Sequence, residues 1–449
     1  MIRYMKRYSF LFGLMLVLFS CSKDNGPGYQ EPYMPEPDGG AEEEMPALTD
    51  EELLDLIQER TFNYFWDFAE PNSGMARERS QENAYGGDSR HIVTTGGTGF
   101  GLASFPAAVT RGWISYDEAK NRLNKILDFL EKAPTYHGAY SHWYMGNTGE
   151  TRPFGEFDDG GDLVETALLM QGLLICREYF KEQAVTSRIT SIWEKVEWDW
   201  YTKGENTLYW HWSPVYDFRK DLQIKGWNES LIVYVLAASS PTHSINKEVY
   251  DAGWASNGNM INNRSHYGIN MPLGPSYGGP LFFSHYSFIG LDPRNLQDDY
   301  ANYWDQNTSH TLINYEYCVR NPKNYKGYGE NCWGLTASDN YEGYAAHSPT
   351  NDVGVITPTA ALSSFPYTPE KSMAAARYFY EDLGNKLWGE YGFYDAFSEE
   401  EAWFSNGYLA IDQGPIVAMI ENHRTQMLWQ LFMADPEIQL GLNKLGFNY

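Results

Sequence analysis

The sequence predicts an all-α fold for its long C-terminal part, because many separate runs carry apolar residues at helical intervals. Thr49 and Glu52 have the form of a capping box, and residues 115–118 repeat this helix-start pattern before the next amphipathic run. Only 135–145 and 206–218 show the alternating aromatic residues that are typical of strands. Helix after helix with few strands indicates an architecture of packed helices.

Taken in order along the chain, the helical pattern continues through most of the sequence. After the helices that start near 50 and 116, further runs are predicted at about 162–182, 184–200, 227–239, 280–290, 297–320, 368–384 and 415–434. Long loops at about 252–279 and 321–366 separate some of them. Such loops are unusual in a compact domain unless they build a binding site, so we expect function there and at the adjoining helix ends.

The first twenty residues have the pattern of a bacterial lipoprotein signal peptide. Three basic residues precede an apolar run at 9–19, which is too short for a membrane-spanning helix but fits a signal-peptide core. The run ends in Leu-Phe-Ser-Cys, which looks like a lipobox whose cleavage leaves Cys21 as a lipid-bearing N-terminus. The alternative is a signal peptide that merely has a cysteine nearby. We therefore expect export and lipid anchoring at Cys21.

Two further segments follow the predicted signal peptide. Residues 21–46 are rich in Gly, Pro, Asp and Glu with little apolar content, which indicates a flexible tether. Residues 47–449 are long enough to bury a large core. Because no second low-complexity linker interrupts this stretch, we predict one large domain rather than two or three.

The composition narrows the classes of partner. The formal net charge is -26, from 33 basic and 59 acidic residues, and no Lys/Arg cluster follows the signal peptide. Nucleic acid is therefore not an expected partner, since its phosphates require a basic face. Aromatic residues make up 16% of the chain, many of them in polar surroundings. Flat apolar rings with polar edges suit the faces of sugars, although each single aromatic residue is more often part of a core.

Cysteine and glycine patterns give weaker signals. Cys176 lies in an apolar helical run and is predicted to be a small core residue. Cys318 and Cys332 are the only pair that could form a disulfide in an exported protein, and the sequence leaves open whether they meet. No metal-ligand spacing of the Cys/His type is visible. The glycine-rich stretch 96–101 fails the dinucleotide-binding spacing, which favours close helix packing or a turn.

Three carboxylates precede one of the apolar helical runs. Asp158, Asp162 and Glu165 stand at i, i+4 and i+7 within FDDGGDLVETALLMQGLL (157–174). In a helix this spacing would stack all three like charges on one side. One interpretation is a solvated helix start, because acidic residues favour the first turn and its dipole. The other is an acidic cluster that serves a binding site.

Glu229 is the first candidate for catalysis. Hydrolysis of a glycosidic bond needs one carboxylic acid to protonate the leaving oxygen and one carboxylate to activate water or attack the sugar. Glu229 follows Trp227 and precedes an apolar helix, and such surroundings would resist ionisation, as suits a general acid. The alternative is an ordinary first-turn glutamate behind a cap at Asn228, where the helix dipole would oppose this shift.

Asp412 is the second candidate. It stands just before Gly414 and Pro415, and proline is typical of the first helical turn. A carboxylate that faces a helix N-terminus stays ionised, as suits a general base. The alternative is a capping aspartate.

Long motifs in the second half resemble a known family. They are GGPLFFSHYSFIGLDPR (278–294), NYEYC (314–318), WGLTASD (333–339), GVITPTAALSSFPYTPE (354–370) and AIDQGPIVAMIENHR (410–424). The chain resembles the glucoamylase-like domain of bacterial lipoproteins, which includes glycoside hydrolase family 144, the β-1,2-glucanases. The resemblance covers nearly all of residues 50–449.

This resemblance implies an (α/α)6 barrel, or toroid, whose helix ends and long loops surround a sugar-binding cleft. It also implies an inverting hydrolase that needs no metal or other cofactor. Glu229 matches the family's favoured general acid and Asp412 its favoured base, while the acidic triplet matches an acidic cluster in the cleft. The predicted substrate-binding residues are Asp158, Asp162, Glu165, Trp227, His285, Tyr286, Trp333 and Asp339.

We therefore predict a lipid-anchored, monomeric endo-β-1,2-glucanase that acts on an oligo- or polysaccharide. It should reside in the periplasm or on the outer membrane or cell surface of a Gram-negative bacterium. The acid and base should stand ~6.5–9.5 Å apart with room for water. The alternatives are hydrolysis of another glucan, including α-linked glucose, and a non-catalytic glycan-binding lipoprotein, which would need aromatic platforms but no paired acid and base.

Overall fold

The computed structural model describes residues 45–85 and 87–449. The predicted signal peptide (1–20), the lipidation site Cys21 and all but the last two residues of the predicted tether (21–46) lie outside these residues. The described residues belong to one compact unit. Among them, none of the helices combines the length and the apolar character needed to cross a membrane.

Most of the regular structure is α-helical. The helices are α1 (Asp50–Trp66), α2 (Thr95–Ala103), α3 (Phe105–Arg111), α4 (Tyr116–Leu130), α5 (Leu163–Phe180), α6 (Gln183–Trp193), α7 (Leu231–Ser239), α8 (Lys247–Ala252), α9 (Tyr303–Arg320), α10 (Pro358–Leu362), α11 (Pro369–Arg377), α12 (Gly384–Leu387), α13 (Ala410–Arg424), α14 (Met427–Ala434) and α15 (Pro436–Leu445). Both predicted capping boxes are present, at Thr49 before α1 and at Ser115 before α4. The predicted all-α architecture is confirmed.

The strands are short and form small antiparallel sheets. They are β1 (Ile92–Thr94), β2 (Trp143–Met145), β3 (Thr151–Arg152), β4 (Gly161–Asp162), β5 (His211–Trp212), β6 (Ile261–His266), β7 (Ile269–Leu273), β8 (Ala337–Asn340), β9 (Gly343–Ala346), β10 (Trp388–Gly389), β11 (Gly392–Phe393), β12 (Phe397–Ser398) and β13 (Trp403–Phe404). The pairs β6–β7 and β8–β9 are hairpins inside the two segments predicted as long loops. The pairs β1–β2 and β4–β5 bring chain segments together beside the site described below.

The helices that surround the site pack side by side. Helices α13, α2, α5 and α7 follow one another in space, and α10 packs against α13. The 3-10 turn at Ser287–Ile289 packs against both α7 and α13, and the turn at Leu281–Ser284 packs against α9. Helices α1, α14 and α15 pack on the outside against α13, α5 and α7. The N-terminal ends of α2, α5 and α13 thereby converge on one region.

Helices α2 and α5 approach each other unusually closely because glycines line their contact. A Cβ atom at Gly99 would overlap the backbone of Leu168, and one at Gly172 would overlap the backbone of Gly99. The stretch 96–101 lies inside buried α2, so the prediction of close helix packing is confirmed. This contact fixes the N-terminal end of α5 against that of α2.

Several predicted helix boundaries are wrong. The run at 280–290 forms two 3-10 turns instead of an α-helix, with Pro280 at the start of the first and Gly290 at the end of the second. The run at 415–434 is two helices, since Gln426 adopts a left-handed conformation (φ 64°) between α13 and α14. Helix α7 begins at 231 rather than 227. These differences matter because they move the candidate acids relative to the helix starts.

The three cysteines at 176, 318 and 332 are buried free thiols. Cys176 lies in the main hydrophobic core with α5, as predicted. Cys318 and Cys332 share a second core beneath α10 and α11 but form no disulfide in the structure. Burial raises the pKa of both thiols.

Candidate active site

A central pocket of about 350 Å³ lies where the helix ends and loops converge. Its wall includes the residue before α2, the first turn of α5, the start of α13 and the turn at 281–289. The lining residues are Glu78, Arg79, Tyr85, Thr94, His142, Trp143, Phe154, Val164, Glu165, Leu168, Trp210, Glu229, Phe282, Tyr286, Ala337, Tyr344, Leu409 and Ile411. The pocket therefore combines apolar and aromatic surface with a few acidic groups.

Two wider grooves adjoin the central pocket. One, called here the aromatic groove, has a volume of about 680 Å³ and shares Tyr85, Trp143 and Phe154 with the pocket. The other, the polar groove, has a volume of about 550 Å³ and shares Arg79, Tyr85 and Tyr344 with it. The pocket therefore continues into two wider grooves.

Glu229 lies immediately before α7 and lines the central pocket. The helix begins at Leu231 with Ser230 as its N-cap, while the Asn228 side chain accepts a hydrogen bond from the Ser230 amide at 2.9 Å. The alternative in which Glu229 is a first-turn residue behind an Asn228 cap is wrong, since the helix starts two residues later. Glu229 is thus held by a turn that aims it into the pocket.

The surroundings of Glu229 favour its protonated form. Burial raises its pKa to about 7, and the nearby negative charges of Asp162 and Glu165 act in the same direction. A carboxyl group with a pKa near neutrality can hold a proton and still release it, as a general acid must.

Asp158, Asp162 and Glu165 form a cluster with two histidines, His142 and His211, which we call the histidine cluster. Asp162 Oδ2 lies 3.0 Å from His142 Nδ1, and Asp158 Oδ2 lies 3.0 Å from His211 Nε2. The β4–β5 pairing places Asp162 directly opposite His211, which explains how residues far apart in the sequence meet. Neither histidine was singled out by the sequence analysis.

Opposite charges balance one another in the histidine cluster. Burial lowers the pKa of His142, but Glu165 and Asp162 outweigh this and raise it to about 9. The pKa of His211 is also raised by its carboxylate neighbours despite burial. Burial would raise the pKa of Asp162, but hydrogen bonds from the two histidines hold it well below its ordinary value. Lys220 Nζ, 3.4 Å from Asp158 Oδ2, contributes a further positive charge.

The same cluster contains the group of described residues that could hold a metal ion. Potential ligand atoms of His142, Asp158 and Asp162 lie within 4.8 Å of one another. A metal would have to displace the protons of the imidazole rings, since metal-bound histidine is neutral. With Lys220 also in contact, the arrangement resembles a compensated ion-pair network.

The acidic triplet does not lie along one helix face. Helix α5 begins at Leu163, so Glu165 is helical, Asp162 is the N-cap and Asp158 belongs to the preceding turn. Asp162 accepts hydrogen bonds from the amides of Val164 and Glu165 and is fully buried, so the solvated-helix-start interpretation is wrong. Of the three carboxylates, only Glu165 lines the central pocket.

Glu165 is positioned by the start of α2. Its Oε2 atom accepts a hydrogen bond from the Gly96 amide at 2.7 Å. A Cβ atom at Gly96 would lie only 2.8 Å from the same oxygen, so glycine permits this approach. Burial and the charge of Asp162 raise the pKa of Glu165 despite the attraction of His142.

A second group of acidic residues surrounds Arg79. We call Glu78, Arg79, Asp339, Asp395 and Asp412 the arginine cluster. Arg79 Nε lies 3.0 Å from Glu78 Oε2, and Arg79 Nη1 lies 3.2 Å from Asp339 Oδ1. The Asp339 amide donates to Asp395 Oδ2 at 2.7 Å. Four carboxyl groups thus surround a single guanidinium.

Asp412 occupies the first turn of α13, which begins at Ala410, so Pro415 lies farther inside the helix than predicted. The residue at the N-cap is Leu409, and neither carboxylate oxygen of Asp412 has a hydrogen-bond donor, so the capping alternative is wrong. Burial and the adjacent Asp395 raise the pKa of Asp412 well above its ordinary value. Burial and Asp395 thus act against the expectation that the helix dipole keeps Asp412 ionised.

Tyr286 lies between the two clusters in the pocket wall. Its pKa is raised well above its ordinary value by burial and by the charges of Asp412, Glu229 and Glu165, among others. Glu229 lines the pocket, whereas Asp412 is buried behind the lining residues Leu409 and Ile411, within electrostatic reach of the Tyr286 phenol. Tyr286 was predicted to contact substrate, and it lines the pocket.

Besides Asp158 and Asp162, three further predicted substrate contacts do not line the pocket. Trp227 packs in the main core near Trp254 and Tyr303, and its exposed fraction is 5%. His285 is buried and its Nε2 atom lies 3.0 Å from the Ser364 hydroxyl. Trp333 is fully buried in the second core. None of the three lines the central pocket, so the structure corrects these predictions to packing roles.

The remaining predicted contact, Asp339, lines the polar groove. Sequence reasoning missed Glu78, Arg79, Tyr85, Tyr344 and Asp395, all of which lie at or beside the pocket. No local pattern marks these residues as functional. His142 and Trp143 lie in YSHWYMGN (140–147), where aromatic residues in polar surroundings were the available signal.

The chain is similar to several proteins of known structure. A family model described as "Putative glucoamylase" matches residues 221–436. A crystal structure with the same description from Bacteroides uniformis has 52% identity and a TM-score of 0.87, covering 90% of this chain and 98% of that chain. An endo-β-1,2-glucanase from Chitinophaga pinensis, in complex with sophorotriose and glucose, has 52% identity and a TM-score of 0.88, covering 90% and 99%.

A further relative is an exo β-1,2-glucooligosaccharide sophorohydrolase (non-reducing end) from Parabacteroides distasonis. It is 45% identical over 425 residues, which are 89% of this chain. The chain spans only 58% of the length of that relative. The agreement with the solved structures confirms the predicted α/α toroid class of fold.

Proposed function

Because the chain belongs to the glucoamylase-like family, we propose that it is a glycoside hydrolase that cleaves β-1,2-linked glucan with inversion. Two relatives similar to it over most of its length bear the names of β-1,2-glucan hydrolases. The endo-acting relative matches this chain over 99% of its own length, whereas the exo-acting one is much longer than the matched part.

The observation that carries the proposal is a proton-holding carboxyl in an apolar, aromatic-lined pocket beside a second carboxyl group. Burial raises the pKa of Glu229 to about 7, so it can deliver a proton to the leaving oxygen. Asp412, at the start of α13, receives a proton from the attacking water. Water attacks the anomeric carbon from the face opposite the leaving oxygen, which inverts the configuration.

The two grooves support endo rather than exo action. A chain that is cut internally must extend from the reacting linkage in both directions. The aromatic groove can take one arm against Phe154 and Tyr216, and the polar groove can take the other against Asp339 and Trp403. Apolar ring faces suit sugar faces, and carboxylates suit hydroxyl groups.

The proposal is tested by digestion of a panel of glucans that includes β-1,2-, β-1,3-, β-1,4- and α-1,4-linked chains. We expect cleavage of the β-1,2-linked polymer into oligosaccharides of several sizes early in the reaction. Fresh products observed by proton NMR should carry the α-anomer. Release of a single small product from chain ends would contradict endo action, and a β-anomer would contradict inversion.

We also propose that the protein is a monomer that is exported and lipid-anchored through Cys21. The support is the basic, apolar and Leu-Phe-Ser-Cys pattern of the first 21 residues. The full chain expressed in a Gram-negative host should incorporate labelled fatty acid and partition with membranes. A Cys21→Ala variant should lose both properties, and light scattering on the detergent-free domain would test the monomer.

A further inference from the structure

We propose that Asp395 and Asp412 work as a pair that shares one proton, with Asp395 as the positioning residue that sets the charge and orientation of Asp412. The inference rests on the proposed function, in which Asp412 is the base. It assigns a role to Asp395, a residue that neither its local sequence nor its position outside the pocket lining marks as functional.

The first observation in favour of the pair is that several buried carboxylate oxygens lack a hydrogen-bond donor. Both carboxylate oxygens of Asp412 and the Oδ1 atom of Asp395 are buried and have no hydrogen-bond donor. The Asp395 amide donates a hydrogen bond to the Gly407 carbonyl at 2.9 Å, which holds Asp395 beside the segment that leads into Asp412, and each carboxyl group acts on the pKa of the other. Carboxylates only accept hydrogen bonds, so two ionised groups in contact would leave these oxygens unsatisfied and repelling. One shared proton converts the contact into an O–H···O bond.

The second support is that the rest of the cluster cannot supply that proton or a compensating charge. The Asp395 Oδ2 atom is already fixed by the Asp339 amide at 2.7 Å, which leaves Oδ1 to face a partner. The guanidinium of Arg79 is engaged by Glu78 and Asp339. Two buried carboxyls without their own cation are the arrangement in which one proton is retained.

The groups that face the pair come from several elements. Asp339 on β8 and Arg79, before β1, are the charged neighbours of Asp412 besides Asp395. The phenols of Tyr286 and Tyr344 also lie close to Asp412. Both phenols are uncharged at neutral pH, because an ordinary phenol has a pKa of about 10. Asp339 is negative and Arg79 is positive, so their effects on the pair oppose each other. The charge of the pair therefore depends mainly on its own two carboxyl groups.

In the hydrolytic step the pair begins with one proton and one negative charge. An O–H bond of the attacking water breaks, and its proton joins the pair, which becomes neutral. The water oxygen forms the new bond to the anomeric carbon. The bond from that carbon to the leaving oxygen breaks as the leaving oxygen takes the proton of Glu229. The pair then returns its extra proton to solvent, and Glu229 regains one.

The test is the acidic limb of the pH profile of kcat/KM on β-1,2-glucan, which reports ionisation of the free enzyme. In Asp395→Asn, the amide can donate to Asp412 and stabilise its ionised form. We expect the acidic limb to move to lower pH by at least a tenfold change in proton concentration, together with a lower kcat. Asp395→Glu, which retains two carboxyls, should keep the limb near that of the wild type.

Asp352→Asn is the matched control, because Asp352 is buried and accepts hydrogen bonds from Tyr317 and Tyr328 instead of facing another carboxyl. Its acidic limb should match that of the wild type. An acidic limb that stays in place in Asp395→Asn would overturn the pair, and so would an equal displacement in the Asp352→Asn control.

A second measurement does not depend on catalysis. The infrared band of a protonated carboxyl should be present in wild-type protein at neutral pH and lose intensity in Asp395→Asn relative to Asp352→Asn. If the wild type cleaves no β-1,2-glucan but this band behaves as expected, the proposed function fails and the pair stands. If the band is unchanged, the pair fails whatever the activity.

Discussion

The histidine cluster and the arginine cluster flank the same pocket, but the negative charge of their buried carboxyl groups is compensated in different ways. In the first, three carboxylates meet two imidazoles and the Lys220 ammonium. In the second, four carboxyl groups meet the single guanidinium of Arg79. The first is compensated by positive charge, whereas the second has an excess of acid. Excess acid in a buried site is compensated by bound protons.

This difference assigns different tasks to two groups of similar composition. Fixed ion pairs hold Asp162 ionised and orient the start of α5, which suits a structural and binding role. Carboxyls that hold protons near neutral pH can exchange them during a reaction, as Asp412 and Asp395 would. Glu229 is also a carboxyl group that can hold a proton near neutral pH, although its charged neighbours Asp162 and Glu165 belong to the histidine cluster.

The largest effect is expected on replacing the proposed acid. Glu229→Gln keeps the shape of the side chain but removes its proton, so kcat should fall by about 10²–10⁴-fold. Sugar binding, measured by calorimetry with a β-1,2-linked oligosaccharide, should persist. The control Glu248→Gln changes an exposed glutamate at the start of α8 and should leave kcat unchanged. Wild-type turnover by Glu229→Gln would eliminate the assignment.

The next largest effect is expected on the free energy of unfolding, which should respond differently to a substitution in each cluster. Asp162→Asn removes a buried charge that two histidines need, so the free energy of unfolding should fall by about 3–5 kcal/mol. Asp395→Asn removes one carboxyl group from the arginine cluster, which has more acidic than basic groups. The free energy of unfolding of this variant should therefore be unchanged or higher. Urea denaturation of both variants at neutral pH measures this. Equal losses in the two variants would contradict the comparison.

The pH dependence of stability should follow the histidine cluster. The folded-state pKa of His142 is raised to about 9 from an ordinary 6.5, so its stabilisation is complete below about pH 6.5 and is lost as pH rises through about 9. The loss should be at most about 3.5 kcal/mol, because each pKa unit corresponds to about 1.4 kcal/mol. Denaturation at about pH 6 and about pH 10 tests this. A His142→Gln variant should show a flatter dependence, and an equally steep one would refute this origin.

The pH dependence of activity should instead follow Glu229. Its pKa is raised to about 7, and the acid must be protonated to act. The value of kcat/KM should therefore decline by about tenfold per pH unit above neutrality. Rates measured up to about pH 9 on β-1,2-glucan provide the check. A profile that stays flat across this range would show that another group supplies the proton.

The smallest effect is expected at Tyr85, which borders the pocket and both grooves. Its hydroxyl donates to Glu78 Oε2 at 2.7 Å and accepts from Arg79 Nε at 3.0 Å. Tyr85→Phe removes both bonds but keeps the ring against Trp143, at a cost of about 0.5–1.5 kcal/mol. KM should rise a few-fold with little change in kcat. A change in kcat as large as that of Glu229→Gln would mean that Tyr85 takes part in the reaction.

Sequence reasoning selected some pocket-lining residues from features that are visible in their local sequence. Glu229 beside an apolar helix and Glu165 ahead of one were predicted, and both line the pocket. It failed where aromatic residues were judged by type alone, since Trp227 and Trp333 are core residues. Sequence reasoning also missed His142 and His211, because they lie about 20 and 50 residues from Asp162 in the chain. The Asp162 amide donates a hydrogen bond to the Tyr140 carbonyl near His142, and the β4–β5 pair places His211 opposite Asp162.

Helical periodicity and capping boxes by themselves determined the all-α class, because these signals depend on near neighbours in the chain. The charges of the carboxyl groups were decided only by the tertiary structure. Whether Asp162 is ionised, or Asp412 protonated, depends on burial and on which partners lie within a few ångströms. Those partners come from distant segments, so the same residue type beside a helix start is held as an anion in one cluster and is proposed to carry a proton in the other.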